Sequence, residues 1–73
     1  MTLQDFLFRL MHRTNSERVN FTITPQDPDK AEIICFKGKV AASAFMDMTD
    51  EVITEEDLEG LVKETRKLFR KAI

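Results

Sequence analysis

The sequence predicts a two-layer α+β domain with the order α-β-β-β-α, in which both helices lie on one face of a three-stranded antiparallel meander. Three observations predict this fold. Apolar residues recur at helical spacing near both ends of the chain, they alternate with polar residues in between, and a glycine stands where the second alternating run meets the third. Because the chain has 73 residues, we assign 1–73 to a single domain.

The first helix is predicted to begin after Thr2 and to continue to about Arg13. Thr2 is a favourable N-cap residue, and Asp5 stands three residues later, where a capping box usually has Glu or Gln. Asp5, Arg9 and Arg13 are four residues apart, so we expect ion pairs along the outer side of this helix. Phe8 lies off the apolar stripe. That stripe consists of Leu3, Phe6, Leu7, Leu10 and Met11.

The middle of the chain is predicted to form three strands. Strict alternation of apolar and polar residues predicts the first over 18–24. Prolines and aspartates predict a connecting turn over 25–29, and the second strand is expected over 30–36. A two-residue hairpin loop at 37–38 then leads into the third strand at 39–46, since its glycine readily adopts a positive φ.

This hairpin loop sets a register in which Cys35 lies opposite Val40 and Ile33 lies opposite Ala42. One face of the hairpin is then small and apolar throughout, with Ala31, Ile33, Cys35, Val40, Ala42 and Ala44. The other face is mixed, with Lys30, Glu32, Ile34, Phe36, Lys39, Ala41, Ser43 and Phe45. Because small side chains let helices approach closely, we expect both helices on the small apolar face.

The second helix is predicted to start with Thr54 as its N-cap. Acids follow in its first turn, where they interact favourably with the helix dipole: Glu55, Glu56 and Asp57. Its apolar face consists of Leu58, Leu61, Val62, Thr65, Leu68, Phe69 and Ala72. Gly60 lies on the outer face, where it costs about 1 kcal/mol relative to alanine.

The residues offer weak support for catalysis or metal binding. His12 stands near the end of the first helix, where an exposed residue stabilised by the helix dipole is the simpler interpretation. Cys35 falls on the predicted core face, where a thiol behaves as a small hydrophobe. Asp47, Asp50 and Glu51 lack the spacing and the glycine of an EF-hand. We therefore expect no enzyme, no cofactor and no metal site.

The composition sets expectations about location. The net charge of −2 does not point strongly to nucleic acid or to a membrane surface. The longest apolar run, 33–36, has four residues, so we expect no membrane-spanning segment. The N-terminus lacks the pattern of a secretory signal, and the single cysteine cannot form an internal disulfide. We therefore expect a cytoplasmic protein.

We expect a non-catalytic protein–protein interaction module that regulates or inhibits a larger partner, as small proteins of mobile elements often do. The mixed sheet face would contact that partner or a second copy of the chain, giving a homodimer. The predicted partner-binding residues are apolar anchors and steering acids: Phe8, Ile34, Phe36, Phe45, Asp50, Glu51, Glu55 and Glu56. In a competing interpretation, the connection 47–53 folds over the mixed face and buries it.

Weak nucleic-acid binding is the alternative function. The outer side of the second helix carries the basic residues that it would use: Lys63, Arg66, Lys67 and Arg70. The order of elements also occurs in double-stranded RNA-binding domains. That family relies on basic residues at the start of its second helix, whereas this chain has acids there, so we do not assign it to that family.

Overall fold

Two helices and three strands follow one another in the predicted order. A computed structural model describes residues 1–48 and 52–72, with α1 at Leu3–Thr14 and α2 at Glu55–Lys71. The strands are β1 (Arg18–Thr24), β2 (Asp27–Lys37) and β3 (Val40–Asp47). They form one antiparallel sheet in the order β1-β2-β3, and the predicted α+β fold is confirmed.

Both helices begin at the predicted caps. The Thr2 hydroxyl accepts a hydrogen bond from the main-chain N–H of Asp5 at 3.1 Å. At α2, Thr54 and Asp57 form a capping box, in which each side chain accepts from the other residue's main-chain N–H, at 3.2 and 2.9 Å. Such caps supply partners for amides that have none within the helix, and each contributes about 1 kcal/mol. α1 ends at Thr14, and its C-cap residue Asn15 adopts the left-handed conformation that asparagine tolerates.

The register of the β2–β3 hairpin differs from the prediction by two residues. Cys35 lies opposite Ala42, not opposite Val40, because the two-residue loop starts one position later than predicted. The loop consists of Gly38 and Lys39, and only the glycine has a positive φ, of 61°. This combination matches a type II′ turn, which has glycine at its first central position. A shift of two residues keeps every side chain on its predicted face.

The second strand begins earlier than predicted. Only residues 25–26 separate it from β1, so the predicted turn over 25–29 is too long. The pairing of β1 with β2 shifts between Ile23 and Thr24, and Pro28 lies beside this irregularity. A strand tolerates proline at such a place because the local ladder does not require its missing N–H.

Both helices pack on the predicted apolar face of the sheet. Phe6 and Leu10 of α1 are fully buried, and they share one core cluster with Leu58 and Val62 of α2 and with Ile33 of β2. The predicted sidedness is therefore confirmed. Of the two helices in the described part of the chain, neither is long and apolar enough to cross a membrane.

Charged side chains join the two helices along what we call the interhelical seam. Arg9 pairs with Glu55 at 2.7 Å, and Arg13 bonds to both carboxylate oxygens of Glu59. Arg66 donates two hydrogen bonds to the carbonyl oxygen of Arg13, at 3.0 and 2.7 Å. The arginines of α1 thus pair across to α2, and the ladder predicted along α1 alone is not what the structure shows.

Candidate interaction surfaces

The sheet surface opposite the helices, here called the open face, carries apolar residues that the sequence singled out. Ile34 and Phe36 project from this side of β2. Phe45 projects from the same side of β3. Ser43, two residues before it, lies directly opposite Ile34. Phe45 is therefore diagonal to Ile34, at a separation of roughly 7–8 Å that an aromatic ring can bridge. Together, Ile34, Phe36 and Phe45 form one continuous strip, which we call the apolar strip.

The apolar strip is unevenly covered. Phe45 is 63% exposed, whereas Ile34 and Phe36 are half-buried. The guanidinium carbon of Arg18 lies 4.3 Å from the centroid of the Phe36 ring, which is a cation–π contact. Phe45 is consequently the largest apolar surface that the strip offers to a partner.

The described part of the connection 47–53 does not support the interpretation that this segment covers the open face. Met48 and Ile53 pack against the core on the helix side of the sheet. Val52 is 67% exposed. Asp50 and Glu51, two of the predicted steering residues, lie outside the described residues.

The remaining predicted contact residues lie away from the apolar strip. Phe8 is 59% exposed on the solvent side of α1, and its ring centroid is 4.5 Å from that of His12. Because α1 packs on the opposite face of the sheet, Phe8 does not join the strip. Glu55 and Glu56 are both exposed in the first turn of α2, and Glu55 is held by Arg9.

The basic residues of the alternative hypothesis are all exposed on α2: Lys63, Arg66, Lys67 and Arg70. Arg66 and Arg70 border a depression together with Arg13 and Lys37, at the ends of α1 and β2. All four of these cations already have internal contacts. Arg66 binds the end of α1 and Arg13 binds Glu59. Arg70 donates to the carbonyl oxygen of Arg66 at 3.5 Å, and the Lys37 ammonium lies 5.7 Å from the centroid of the Phe69 ring. The pairing of Arg13 with Glu59 also raises the pKa of Arg13 and lowers the pKa of Glu59. The patch remains a predicted phosphate-binding surface, with part of its charge already compensated.

Three hydroxyl side chains, two of them buried, lie beside the only cysteine. Cys35 is 1% exposed, and its thiol interacts with the hydroxyls of Thr14, Ser16 and Thr65. The Thr14 hydroxyl also donates to the carbonyl oxygen of Leu10 at 2.7 Å. Burial raises the pKa of Cys35, and the three hydroxyls offset only part of that shift. The thiol is therefore protonated at neutral pH and belongs to the core, as predicted.

Sequence reasoning missed two of these three residues, Thr14 and Ser16. The first helix was predicted to end at about Arg13, which left both residues outside it. In the structure Thr14 closes α1 and is 3% exposed, and Ser16 lies between α1 and β1. One signal in the sequence could have found them. Cys35 lies mid-strand on the core face, opposite a helix that carries Thr65, and this pattern indicates that further polar side chains are needed as partners. Within 1–48 and 52–72, no group of three or more histidine, cysteine, aspartate or glutamate side chains is placed to hold a metal ion.

A second surface runs along the outer side of β3. Here β3 and α2 line an open groove of about 570 Å³, which we call the edge groove. Residues 43–47 of β3 form one wall. The other wall belongs to α2 and consists of Glu56, Asp57, Gly60, Leu61 and Glu64. A methyl group added at Gly60 would meet nothing within 4 Å, so this glycine is not required for packing within the described structure.

Comparison with known proteins adds no functional information. No protein family, curated protein or solved structure gives a significant match to this chain.

Proposed function

We propose that this chain is a non-catalytic protein–protein interaction module that assembles as a homodimer through its open face. The observation that carries the proposal is the apolar strip, with Phe45 63% exposed on a sheet surface that neither helix covers. A continuous apolar strip inside a polar rim is the usual anatomy of a protein interface.

The charges around the strip favour a second copy of the chain as the occupant. The open face carries cations, Arg18 and Lys30, and an acid, Glu32, which accepts a hydrogen bond from Ser43 at 3.1 Å. In a twofold interface the same surface meets itself, so a face of one sign would repel its partner. The open face carries charges of both signs, so it does not repel a second copy of itself. A chain of 73 residues also has a small core and gains stability from a paired sheet face.

The expected contribution of Phe45 follows from its exposure. Full burial of a phenylalanine side chain contributes roughly 1.5–3 kcal/mol, so covering the exposed 63% contributes about 1–2 kcal/mol per copy. Two copies contribute about twice that amount. Removal of both rings should raise the dimer dissociation constant by at least about tenfold.

The test compares Phe45→Thr with Phe8→Gln. The two phenylalanines are similarly exposed, at 63% and 59%, but they lie on opposite sides of the molecule. Threonine preserves strand propensity and glutamine preserves helix propensity, so both variants should fold. Light scattering and sedimentation over a range of concentrations should show a dimer for the wild type and for Phe8→Gln. Phe45→Thr should be a monomer at the same concentrations.

Two outcomes would contradict this proposal. A wild-type chain that remains monomeric up to about 1 mM has no dimer of useful affinity. A Phe45→Thr variant that dimerises as well as the wild type has its interface elsewhere. Salt-sensitive binding of nucleic acid that disappears when Lys63, Lys67 and Arg70 are replaced by glutamate would favour the alternative function.

A further inference from the structure

We propose that the edge groove binds an extended, cationic peptide segment of a partner protein, which adds to β3 as a fourth strand. The groove shares Phe45 with the apolar strip, but the binding that we propose uses the main chain of β3 and the acids of α2, not the open face of the sheet. Its test uses variants outside the strip and is therefore distinguishable from the test of the homodimer.

The main chain of β3 supplies half of the site. β3 is an edge strand, because the sheet order is β1-β2-β3. The N–H of Met48 donates to the carbonyl oxygen of Asp29 in β2. This bond determines which alternate residues of β3 direct their main-chain groups towards β2. Alternate residues along β3 therefore point their main-chain groups away from β2, namely Ala41, Ser43 and Phe45. An incoming strand finds its hydrogen-bonding partners there.

The charge of the groove selects a cationic segment. Its lining contains Asp47 from β3 and Glu56, Asp57 and Glu64 from α2. None of the described residues that line it is basic. Glu56, Asp57 and Glu64 are all exposed, and the carboxylate of Asp57 also accepts from the N–H of Thr54. Such a wall attracts lysine and arginine and speeds their encounter.

Gly60 keeps the centre of the groove open. It lies one helical turn from Glu56 on one side and one turn from Glu64 on the other. Any larger side chain at this position would project into the space that a fourth strand needs. Nothing within 4 Å of an added methyl group accounts for the glycine, although glycine weakens a helix by about 1 kcal/mol. Close approach of a partner main chain is a physical reason to keep it.

The same charges argue against other occupants. Two copies paired through β3 would bring two acidic walls together, and like charges placed opposite one another destabilise a pair of strands. Nucleic acid would place phosphates against the same wall. A strand with a basic residue at every second position satisfies both the main-chain groups of β3 and the carboxylates of α2.

The test uses a synthetic peptide of alternating lysine and threonine, with blocked ends, that matches the eight residues of β3. Titration at low salt should show saturable binding. Amide exchange by NMR should slow at Ala41, Ser43 and Phe45, and not along the outer side of β1. A peptide of the same sequence with alternate amides N-methylated should not bind, because it cannot pair with a strand edge.

A pair of charge-matched variants separates the groove from the net charge. Glu56→Gln with Glu64→Gln should weaken binding at least about tenfold, because both carboxylates line the groove. Asp5→Asn with Asp29→Asn changes the net charge by the same amount outside the groove and should weaken binding less than about twofold. Gly60→Leu should also abolish binding, since it fills the groove.

Three results would overturn the proposal. The first is equal binding of the N-methylated peptide, which would indicate charge attraction without strand addition. The second is an equal loss of affinity in the two charge-matched variants. The third is the absence of binding up to about 1 mM peptide. A dimer that forms normally in any of these cases would leave the proposed function intact.

Discussion

Replacement of Gly60 by alanine should raise the free energy of unfolding by about 1 kcal/mol. Gly60 lies inside α2 and its added methyl group meets nothing within 4 Å, so the change alters helix propensity and no packing contact. For a domain of this size, 1 kcal/mol corresponds to a rise in the melting temperature of roughly 4–8 °C.

Gly38→Ala provides the matched control. Its added methyl group also meets nothing within 4 Å, but Gly38 has a φ of +61°. An alanine in this conformation costs roughly 1–2 kcal/mol, so this variant should be less stable than the wild type. The same chemical change thus has opposite signs at the two positions.

Urea unfolding followed by circular dichroism, at one fixed protein concentration, measures both effects. The denaturant midpoint should move in opposite directions in the two variants, with the m-value unchanged. A Gly60→Ala variant that is less stable than the wild type would refute the reasoning, because it would mean that the added methyl group is not in open space.

Two further predictions follow from the perturbed pKa values. Because pairing with Arg13 lowers the folded-state pKa of Glu59 below its usual 4.5, the pair stabilises the fold above that pH, and the contribution is lost as pH falls through the folded pKa. Glu59→Gln should therefore reduce the dependence of stability on pH below about 4.5, and an unchanged pH profile would contradict the pairing. Because burial raises the pKa of Cys35, its thiol should react with a disulfide reagent only in denaturant, and rapid modification of the native chain would show that the core position is wrong.

The sequence was sufficient to predict the parts of the fold that depend on neighbouring residues. Thr2 and Thr54 cap their helices as expected, and the two faces of the hairpin carry the expected side chains. The register itself was wrong because a shift of two residues preserves both faces. Hydrophobic patterning cannot distinguish two such registers, and the choice depended on which loop position Gly38 occupies.

The sequence pattern could not predict contacts between segments that are distant along the chain. Spacing predicted partners for Arg9 and Arg13 within α1, whereas the structure pairs them with acids of α2. Glu55 and Glu56 were predicted together as steering acids. The fold separates them, since Glu55 belongs with Glu59 to the interhelical seam and Glu56 lines the edge groove. This division follows from the helical period, which places residues four apart, such as Glu55 and Glu59, on the same side of α2.

The interhelical seam has a consequence for the order of folding. Arg9 and Glu55 are separated by 46 positions in the chain, as are Arg13 and Glu59. The β2–β3 hairpin, in contrast, closes over two residues and loses little chain entropy. Contacts across such a long separation form after local ones, so the two helices should meet late, beyond the transition state. Weakening the seam would then shorten the lifetime of the native chain and leave its rate of refolding nearly unchanged.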